Sequence, residues 1–281
     1  MGATYLLLSI AFSVGLAQCL KIAERPSVRV VPVLVVNYAA ATVLGWFSGS
    51  QIPTALPVVP VIMGVILGIL FIINLYIYGK TIQINGMGIG IAAMRLSLVV
   101  PILVSLIWFG ESITTLQSIG IIVALSALFL MIPAFSPKTE IDLKQVGYPI
   151  ALFVVSGGID GSLKIFQELY AHQLEESYFL SVIFFCAFIC GVLHLIFKKQ
   201  FHFRWRELVL GVGTGIVNYG STYYLLRSLT HVSGSVVFPV VNVSVVVAGT
   251  AIGYLVWKDH VRSRQWLGLC SATIALILLL L

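Results

Sequence analysis

The chain has 281 residues, of which 59% are hydrophobic and 9% are charged, and its formal net charge is +6. Soluble domains carry about 25% charged residues, so this composition excludes a soluble globular protein and indicates one that is embedded in a lipid bilayer. The basic residues do not indicate nucleic-acid binding, because they are spread over many short polar segments rather than gathered in one patch.

Ten apolar runs follow one another along the chain, and each is about as long as a membrane-spanning helix. Because backbone groups in lipid must form hydrogen bonds within their own segment, helices rather than open sheets are expected. We therefore predict an all-α polytopic membrane protein with ten transmembrane helices. The predicted spans lie near 3–20, 31–48, 58–79, 87–109, 115–133, 147–169, 177–197, 207–226, 233–257 and 264–281.

An internal repeat relates the two halves of the chain at a spacing of 148 positions. Apolar matches are common in so hydrophobic a chain, so the polar matches indicate the duplication. They pair Gly86 with Gly234, Glu111 with Asp259, Gln117 with Gln265, and Gly120 with Gly268. We predict a first five-helix repeat over 1–133, a cytoplasmic linker over 134–146 and a second five-helix repeat over 147–281.

The odd number of spans in each repeat predicts that the two copies cross the membrane in opposite directions. Transporters use such inverted repeats to form two related access states. Of the 16 lysines and arginines, all except Arg227, Arg95 and Lys164 fall on one predicted side of the membrane. Since short cytoplasmic loops are enriched in basic residues, we predict a multi-pass protein of the cell (inner) membrane with both termini outside the cytoplasm.

Two kinds of segment recur at equivalent places in the two halves. Each fourth span ends in a short acidic turn, and a Gln and a Gly then open the fifth: FGESITTLQSIGIIVALSALFLM and WKDHVRSRQWLGLCSATIALILLL. The segments that connect each third span to the fourth are NLYIYGKTIQINGMGIGIAAM and YYLLRSLTHVSGSVVFPVV. Over nearly the whole chain, this pattern resembles the drug/metabolite transporter superfamily in its EamA-like branch.

The resemblance implies two inverted five-helix repeats around a central cavity. It also implies export or exchange of metabolites, amino acids, sugars or drugs. The chain departs from the family pattern at Lys258-Asp259, where the second half usually has Gly-Glu. Its charge bias is also the reverse of that of the many members whose termini are cytoplasmic.

Three charged residues, Arg95, Asp160 and Lys164, lie deep inside predicted spans, where a charge is costly. Arg95 is predicted to bind substrate, with a structural ion pair or snorkelling to the surface as the alternative. Asp160 and Lys164 share one face of the sixth span because they are four residues apart. Asp160 is predicted to be a proton-coupling carboxylate paired with Arg95, and Lys164 to bind substrate. The alternative is an Asp160–Lys164 pair that only lowers the cost of insertion.

Neutral amide and phenol groups inside the spans are the remaining predicted substrate-binding residues. Such groups orient a polar solute without burial of a charge, although each could instead form a hydrogen bond between helices. They are Asn37, Asn74, Tyr78, Asn218, Tyr219 and Asn242. Glu111 and Asp259 are predicted to cap or brace the turns into the fifth helices, where a carboxylate meets free N–H groups.

The sequence shows no ATP-binding motif, no metal-ligand spacing and no nucleophile with a paired base. We therefore predict no catalytic residue, no metal and no cofactor. The predicted function is secondary active transport, export or exchange, of amino acids or related anionic or zwitterionic solutes by alternating access around a midplane cavity. Protons are the candidate coupling ion, and a homodimer is the candidate assembly. The alternatives are a membrane-embedded lipid-modifying enzyme and a channel-like facilitator.

Overall fold

The computed structural model describes residues 1–23, 28–50, 56–131, 143–258 and 262–281. Every regular element over these residues is helical, which confirms the predicted all-α class. The elements are α1 (Gly2–Ala23), α2 (Val30–Ser48), α3 (Val58–Asn85), α4 (Met87–Leu96), α5 (Val99–Leu103), a π-helical turn (Val104–Trp108), α6 (Thr115–Met131), α7 (Leu143–Leu169), α8 (Glu176–Phe197), α9 (Trp205–Leu229), α10 (Gly234–Leu255) and α11 (Ser263–Leu280).

Eight segments of the described chain are long and apolar enough to cross a bilayer, as in a multi-pass membrane protein. α6 has 17 residues and is shorter than these eight. α9 has 25 residues but includes Arg206, Glu207 and Arg227, so it is more polar. The eight segments are α1, α2, α3, Ile89–Trp108, Gln145–Leu169, α8, α10 and α11. The count of ten spans stays a prediction.

The fourth predicted span is not one regular helix. α4 ends at Leu96, where Ser97 Oγ donates a hydrogen bond of 2.6 Å to the Met94 carbonyl. Pro101 cannot donate a backbone hydrogen bond to the preceding turn. The π-helical turn then completes the segment. Such turns are frequent at functional sites, and the break at Ser97 lies two residues from Arg95.

The helices form two compact units, and each unit draws on both halves of the chain. The first unit contains Met1–Ile72 and Ile165–His231. The second contains Ile73–Lys164 and Val232–Leu281, so the boundaries fall inside α3 and α7. The predicted repeats, 1–133 and 147–281, therefore do not coincide with the two compact units. Most of the predicted linker at 134–146 lies outside the described residues.

In the first unit, α2 packs against α8 and α9. Val35, early in α2, lies against Gly191, late in α8, and Ser181, early in α8, donates to the Thr42 carbonyl at 3.2 Å. α2 and α8 therefore run antiparallel. Glycines of α9 allow close approach to α2, because a Cβ atom on Gly215 would lie 2.6 Å from the Ala40 Cβ.

In the second unit, α6 and α11 pack against each other through matching small residues. Ala124 and Ala127 of α6 are fully buried, and so are Ala272 and Ala275, which the 148-residue spacing pairs with them. A Cβ atom on Gly120, near the start of α6, would lie 3.0 Å from Leu279 Cγ, near the end of α11. The two helices therefore run antiparallel.

The glutamines of the repeat have the same local role at the starts of these two helices. Gln117 Oε1 accepts a hydrogen bond from the Thr114 backbone N–H at 3.1 Å. Gln265 Oε1 accepts one from the Arg262 backbone N–H at 2.9 Å. In each case the side chain satisfies a backbone donor of the first turn.

Candidate functional site

Arg95 lies in the last turn of α4, in the second unit, and is half-buried. Its Nη1 donates a hydrogen bond of 3.0 Å to Asn242 Oδ1 on α10. Asn242 Nδ2 in turn donates to the Phe238 carbonyl at 3.0 Å, one turn earlier in the same helix. Because the second bond uses the amide nitrogen, the amide oxygen is directed at Arg95. The guanidinium is thus held against α10 rather than extended toward the surface.

The Asp160 carboxylate lies close enough to Arg95 for its charge to interact with the guanidinium, and the Tyr78 phenol lies within electrostatic range of the same group. Asp160 belongs to α7, which packs closely on the segment that follows Arg95. A Cβ atom on Gly157 would lie 2.5 Å from Val100 Cγ2 and 2.8 Å from the Ser97 carbonyl oxygen, so no larger residue fits there. The structure therefore brings together four of the predicted site residues, which are Tyr78, Arg95, Asp160 and Asn242.

The other predicted amides form hydrogen bonds between helices within their own units. Ser156 Oγ of α7 donates to Asn74 Oδ1 of α3 at 2.9 Å in the second unit. In the first unit, Asn218 Nδ2 of α9 donates to Asn37 Oδ1 of α2 at 3.1 Å. Tyr219, also in the first unit, is 7% exposed and stacks on Tyr223. Asn37, Asn218 and Tyr219 thus belong to a different unit from the Arg95 cluster.

Lys164, in the second unit, forms an ion pair with Glu111. Its Nζ lies 2.6 Å from Glu111 Oε1, and the lysine is 1% exposed. The same carboxylate accepts the backbone N–H groups of Gly234 and Ser235, each at 2.9 Å, and the Ser235 hydroxyl at 2.8 Å. The structure thus places the Lys164 ammonium on a protein carboxylate at the start of α10.

Glu111 was predicted to cap or brace the turn into the fifth helix, and the capping role is wrong, because its carboxylate caps α10 at Gly234 and Ser235. The Glu111 backbone N–H donates to the Ser105 carbonyl at 3.1 Å, so the chain turns back after the π-helical turn and directs the carboxylate at α10. Thr114 and Gln117 cap α6 instead. Asp259, the partner of Glu111 in the repeat, lies outside the described residues.

The Glu111 carboxylate is electrostatically stabilised in its ionised form. Burial alone would raise the pKa of Glu111. The hydrogen bond from Lys164 and those from Ser235 and Gly234 outweigh burial and hold this pKa below its ordinary value. Glu111 therefore joins α7 and α10 as an anion.

A second polar cluster, in the first unit, was not predicted from the sequence. We call it the corner cluster, because it lies where α7 turns into α8, and it consists of Gln167, Glu175, Glu176 and Arg227. Arg227 Nη2 lies 3.8 Å from Glu175 Oε1 and 3.7 Å from Glu176 Oε2. One signal was present in the sequence: Glu175 and Glu176 are its only adjacent acids, and Arg227 is the only basic residue predicted on that side.

Metal-ligating groups do not converge in the described part of the chain. No three His, Cys, Asp or Glu side chains there are arranged so that they could hold a metal ion.

Comparisons with known proteins show the fold but not the activity. No family model matches the chain. A protein of Haemophilus influenzae described as uncharacterized is 24% identical over 286 residues, which cover 98% of this chain and 96% of that protein. The crystal structure of another protein matches with a TM-score of 0.76 and 12% identity, over 99% of this chain and 95% of that one. The chain therefore shares the fold of that solved protein, and its function has to be argued from the site.

Proposed function

We propose that this chain is a secondary transporter that binds an anionic or zwitterionic solute, such as an amino acid, at Arg95. The observation that supports the proposal is a guanidinium inside an apolar segment, held in place by Asn242. Such a charge is costly in lipid, and a planar guanidinium can bind a carboxylate through two parallel hydrogen bonds. The hydrogen bond to Asn242 uses only one of the five N–H donors of the Arg95 guanidinium.

The packing of repeat-related helices supports the inverted repeat that this function needs. α2 and α8 correspond in the repeat and run antiparallel, and so do α6 and α11. The fourth and ninth predicted spans do the same, because Arg95 meets Asn242 whereas Ser105, ten residues later, meets Gly234. On this support we propose ten spans in two inverted five-helix repeats, and membership of the drug/metabolite transporter superfamily in its EamA-like branch.

Asp160 is the proposed coupling group. A solute carboxylate that binds Arg95 competes with Asp160 for the same positive charge. An uncompensated carboxylate in an apolar bundle favours proton uptake. Solute binding and protonation of Asp160 would therefore occur together, which couples transport to the proton gradient. We leave Lys164 out of the proposed binding residues because its ammonium contacts Glu111.

The proposal is tested by solute exchange in proteoliposomes. A thermal-shift screen of metabolites first identifies solutes that stabilise the purified protein, and radiolabelled hits then serve in counterflow assays. If the protein is a carrier, labelled solute enters proteoliposomes faster when they are preloaded with unlabelled solute. A channel or an enzyme shows no such acceleration. Arg95→Gln should abolish exchange, and Arg95→Lys, which keeps the charge but not the planar fork, should reduce it at least about tenfold.

The matched control for these variants is Arg264→Gln. Arg264 is an exposed arginine at the start of α11, and its guanidinium lies 5.5 Å from the Phe129 ring centroid. The Arg264→Gln variant should exchange solute at the same rate as the wild type. Wild-type rates in Arg95→Gln would refute the proposed binding site.

A further inference from the structure

The corner cluster carries one more negative charge than positive charge. Glu175 and Glu176 are opposed by Arg227 at 3.8 and 3.7 Å, longer than the roughly 2.7–2.9 Å of a hydrogen bond between ionised groups. Arg227 also donates from Nε to Tyr223 Oη at 3.2 Å, with a side chain that is 34% exposed. Glu176 is only 5% exposed. Its buried charge is therefore compensated only loosely.

Gln167 provides a second, independent observation at the same place. It is 8% exposed, and its Nε2 lies 3.4 Å from Glu176 Oε1. Its Oε1 is buried and has no hydrogen-bond partner. The amide nitrogen is the atom that faces Glu176, so the unsatisfied oxygen of the same amide group lies at the edge of this cluster, and a turn of the amide would bring it toward the carboxylate. A buried amide oxygen without a donor and a loosely paired buried carboxylate are each costly in an apolar bundle, and a cation that contacts both would satisfy both.

We propose that the corner cluster binds a small monovalent cation, with Glu176 and Gln167 as its oxygen ligands. Carboxylate and amide oxygens are the ligands of hard cations. Glu175 adds negative charge and is itself held in place, because the Ser50 N–H and hydroxyl both donate to its Oε2 at 3.0 Å. One surplus negative charge fits a monovalent cation, and Arg227 would repel a second positive charge.

Two sources can supply this chemistry, an alkali ion such as Na⁺ or the ammonium group of a solute. Either would link the end of α7, through Gln167, to the start of α8, through Glu176. The role of the cation in coupling rests on the proposed transport function, but its binding does not. The two can therefore be tested separately.

A purely structural explanation of Glu176 makes a different prediction. Glu176 is the first residue of α8, where a carboxylate is stabilised by the positive end of the helix dipole. If that were its only role, Glu176→Gln would lower the Tm equally in every salt. A cation site instead predicts that the response to one particular salt is lost.

The experiment measures the Tm of the full chain in detergent at constant ionic strength. N-methyl-D-glucamine chloride is replaced stepwise by NaCl, KCl or methylammonium chloride. At least one of these cations should raise the Tm by about 2–5 °C as the site fills. Glu176→Gln and Gln167→Met should each weaken the apparent affinity at least tenfold. Glu168→Gln, which neutralises the exposed acid next to Gln167, should respond like the wild type.

A response to Na⁺ or K⁺ assigns the site to an alkali ion, and a response to methylammonium alone assigns it to an ammonium-bearing solute. The same Tm in all four salts would overturn the proposal. So would a cation response that survives in both Glu176→Gln and Gln167→Met. Arg95→Gln should keep the full cation response, so a failure of the proposed transport site would not be mistaken for a failure of this one.

Discussion

At the scale of single residues, Asn242 sets the position of the Arg95 guanidinium. We expect Asn242→Leu to weaken solute binding about 10–100-fold, because a hydrogen bond to a charged group contributes about 1.5–3 kcal/mol. The measurement is the solute concentration at half-maximal thermal stabilisation. Asn218→Leu is the matched control, since it removes an amide pair in the first unit. It should lower stability and leave the affinity unchanged.

Gly234 is a position where no side chain fits. A Cβ atom there would collide with the Ser105 hydroxyl and lie 3.0 Å from Lys164 Cε. Gly234→Ala should therefore destabilise the protein by about 1–3 kcal/mol through overpacking, measured as a lower Tm. Gly249 lies in the same helix, and a Cβ atom added there would have open space around it. Gly249→Ala should leave the Tm unchanged or raise it, and equal losses in both variants would contradict this account.

The ionised Glu111 carboxylate makes stability depend on pH. Because its pKa is lowered in the folded protein, its contribution is present above the unfolded-state pKa, near 4.5. The contribution is lost as the pH falls through the lower folded-state pKa. The Tm of the wild type should therefore fall below about pH 4.5 more steeply than that of Glu111→Gln.

At neutral pH, Glu111→Gln alone should be strongly destabilised, by about 3–5 kcal/mol, because it removes the carboxylate that lies 2.6 Å from the buried Lys164 ammonium. Combining it with Lys164→Met removes both charges and should recover much of the Tm. No recovery in the double variant would show that the ion pair is not the source of the loss.

At the scale of elements, the α6–α11 pair predicts equivalent effects at equivalent positions. Ala124→Leu and Ala272→Leu each place a large side chain in a fully buried contact between the same two helices. Both should lower the Tm, and by similar amounts, because small residues allow the helices to approach. The matched controls are Ser126→Leu and Thr273→Leu, at exposed positions of the same helices. They should change the Tm little.

The elements also show what could be predicted from sequence. Composition and run length were sufficient for the all-α class, because apolar segments of this length have few alternatives in lipid. The polar residues that match at a spacing of 148 positions include Gln117 and Gln265, and these two glutamines have the same capping role. The break after Arg95 could not be predicted, since a proline such as Pro101 is tolerated in many membrane helices.

The sequence singled out Arg95, Asp160 and Asn242 as candidate site residues, but it did not indicate that Arg95 contacts Asn242. Arg95 and Asp160 stand out because charges are rare in apolar runs. That Arg95 contacts Asn242, and that Glu111 caps α10, depends on which helices pack side by side, which periodicity does not specify. The corner cluster was missed because Gln167 is ordinary in sequence. Only its unsatisfied oxygen at the edge of the cluster sets it apart.

At the scale of the whole molecule, the predicted orientation can be tested with reporter fusions. Alkaline phosphatase, which is active only outside the cytoplasm, should be active when fused after Leu281. A green fluorescent protein at the same place should stay dark. Fusions after Lys199, in the turn between α8 and α9, should give the opposite pattern. A fluorescent fusion at Leu281 would contradict the orientation derived from the basic residues.

Each compact unit contains helices from both halves of the chain, and this has a consequence for biosynthesis. α6 finds its main packing partner only in α11, which begins more than a hundred residues later. At about 5–20 residues per second, the ribosome needs roughly 7–30 s to deliver that partner. During this interval the buried, alanine-lined face of α6 has no α11 to pack against. Closure of the second unit is therefore a late event, completed only after α11 has been synthesised.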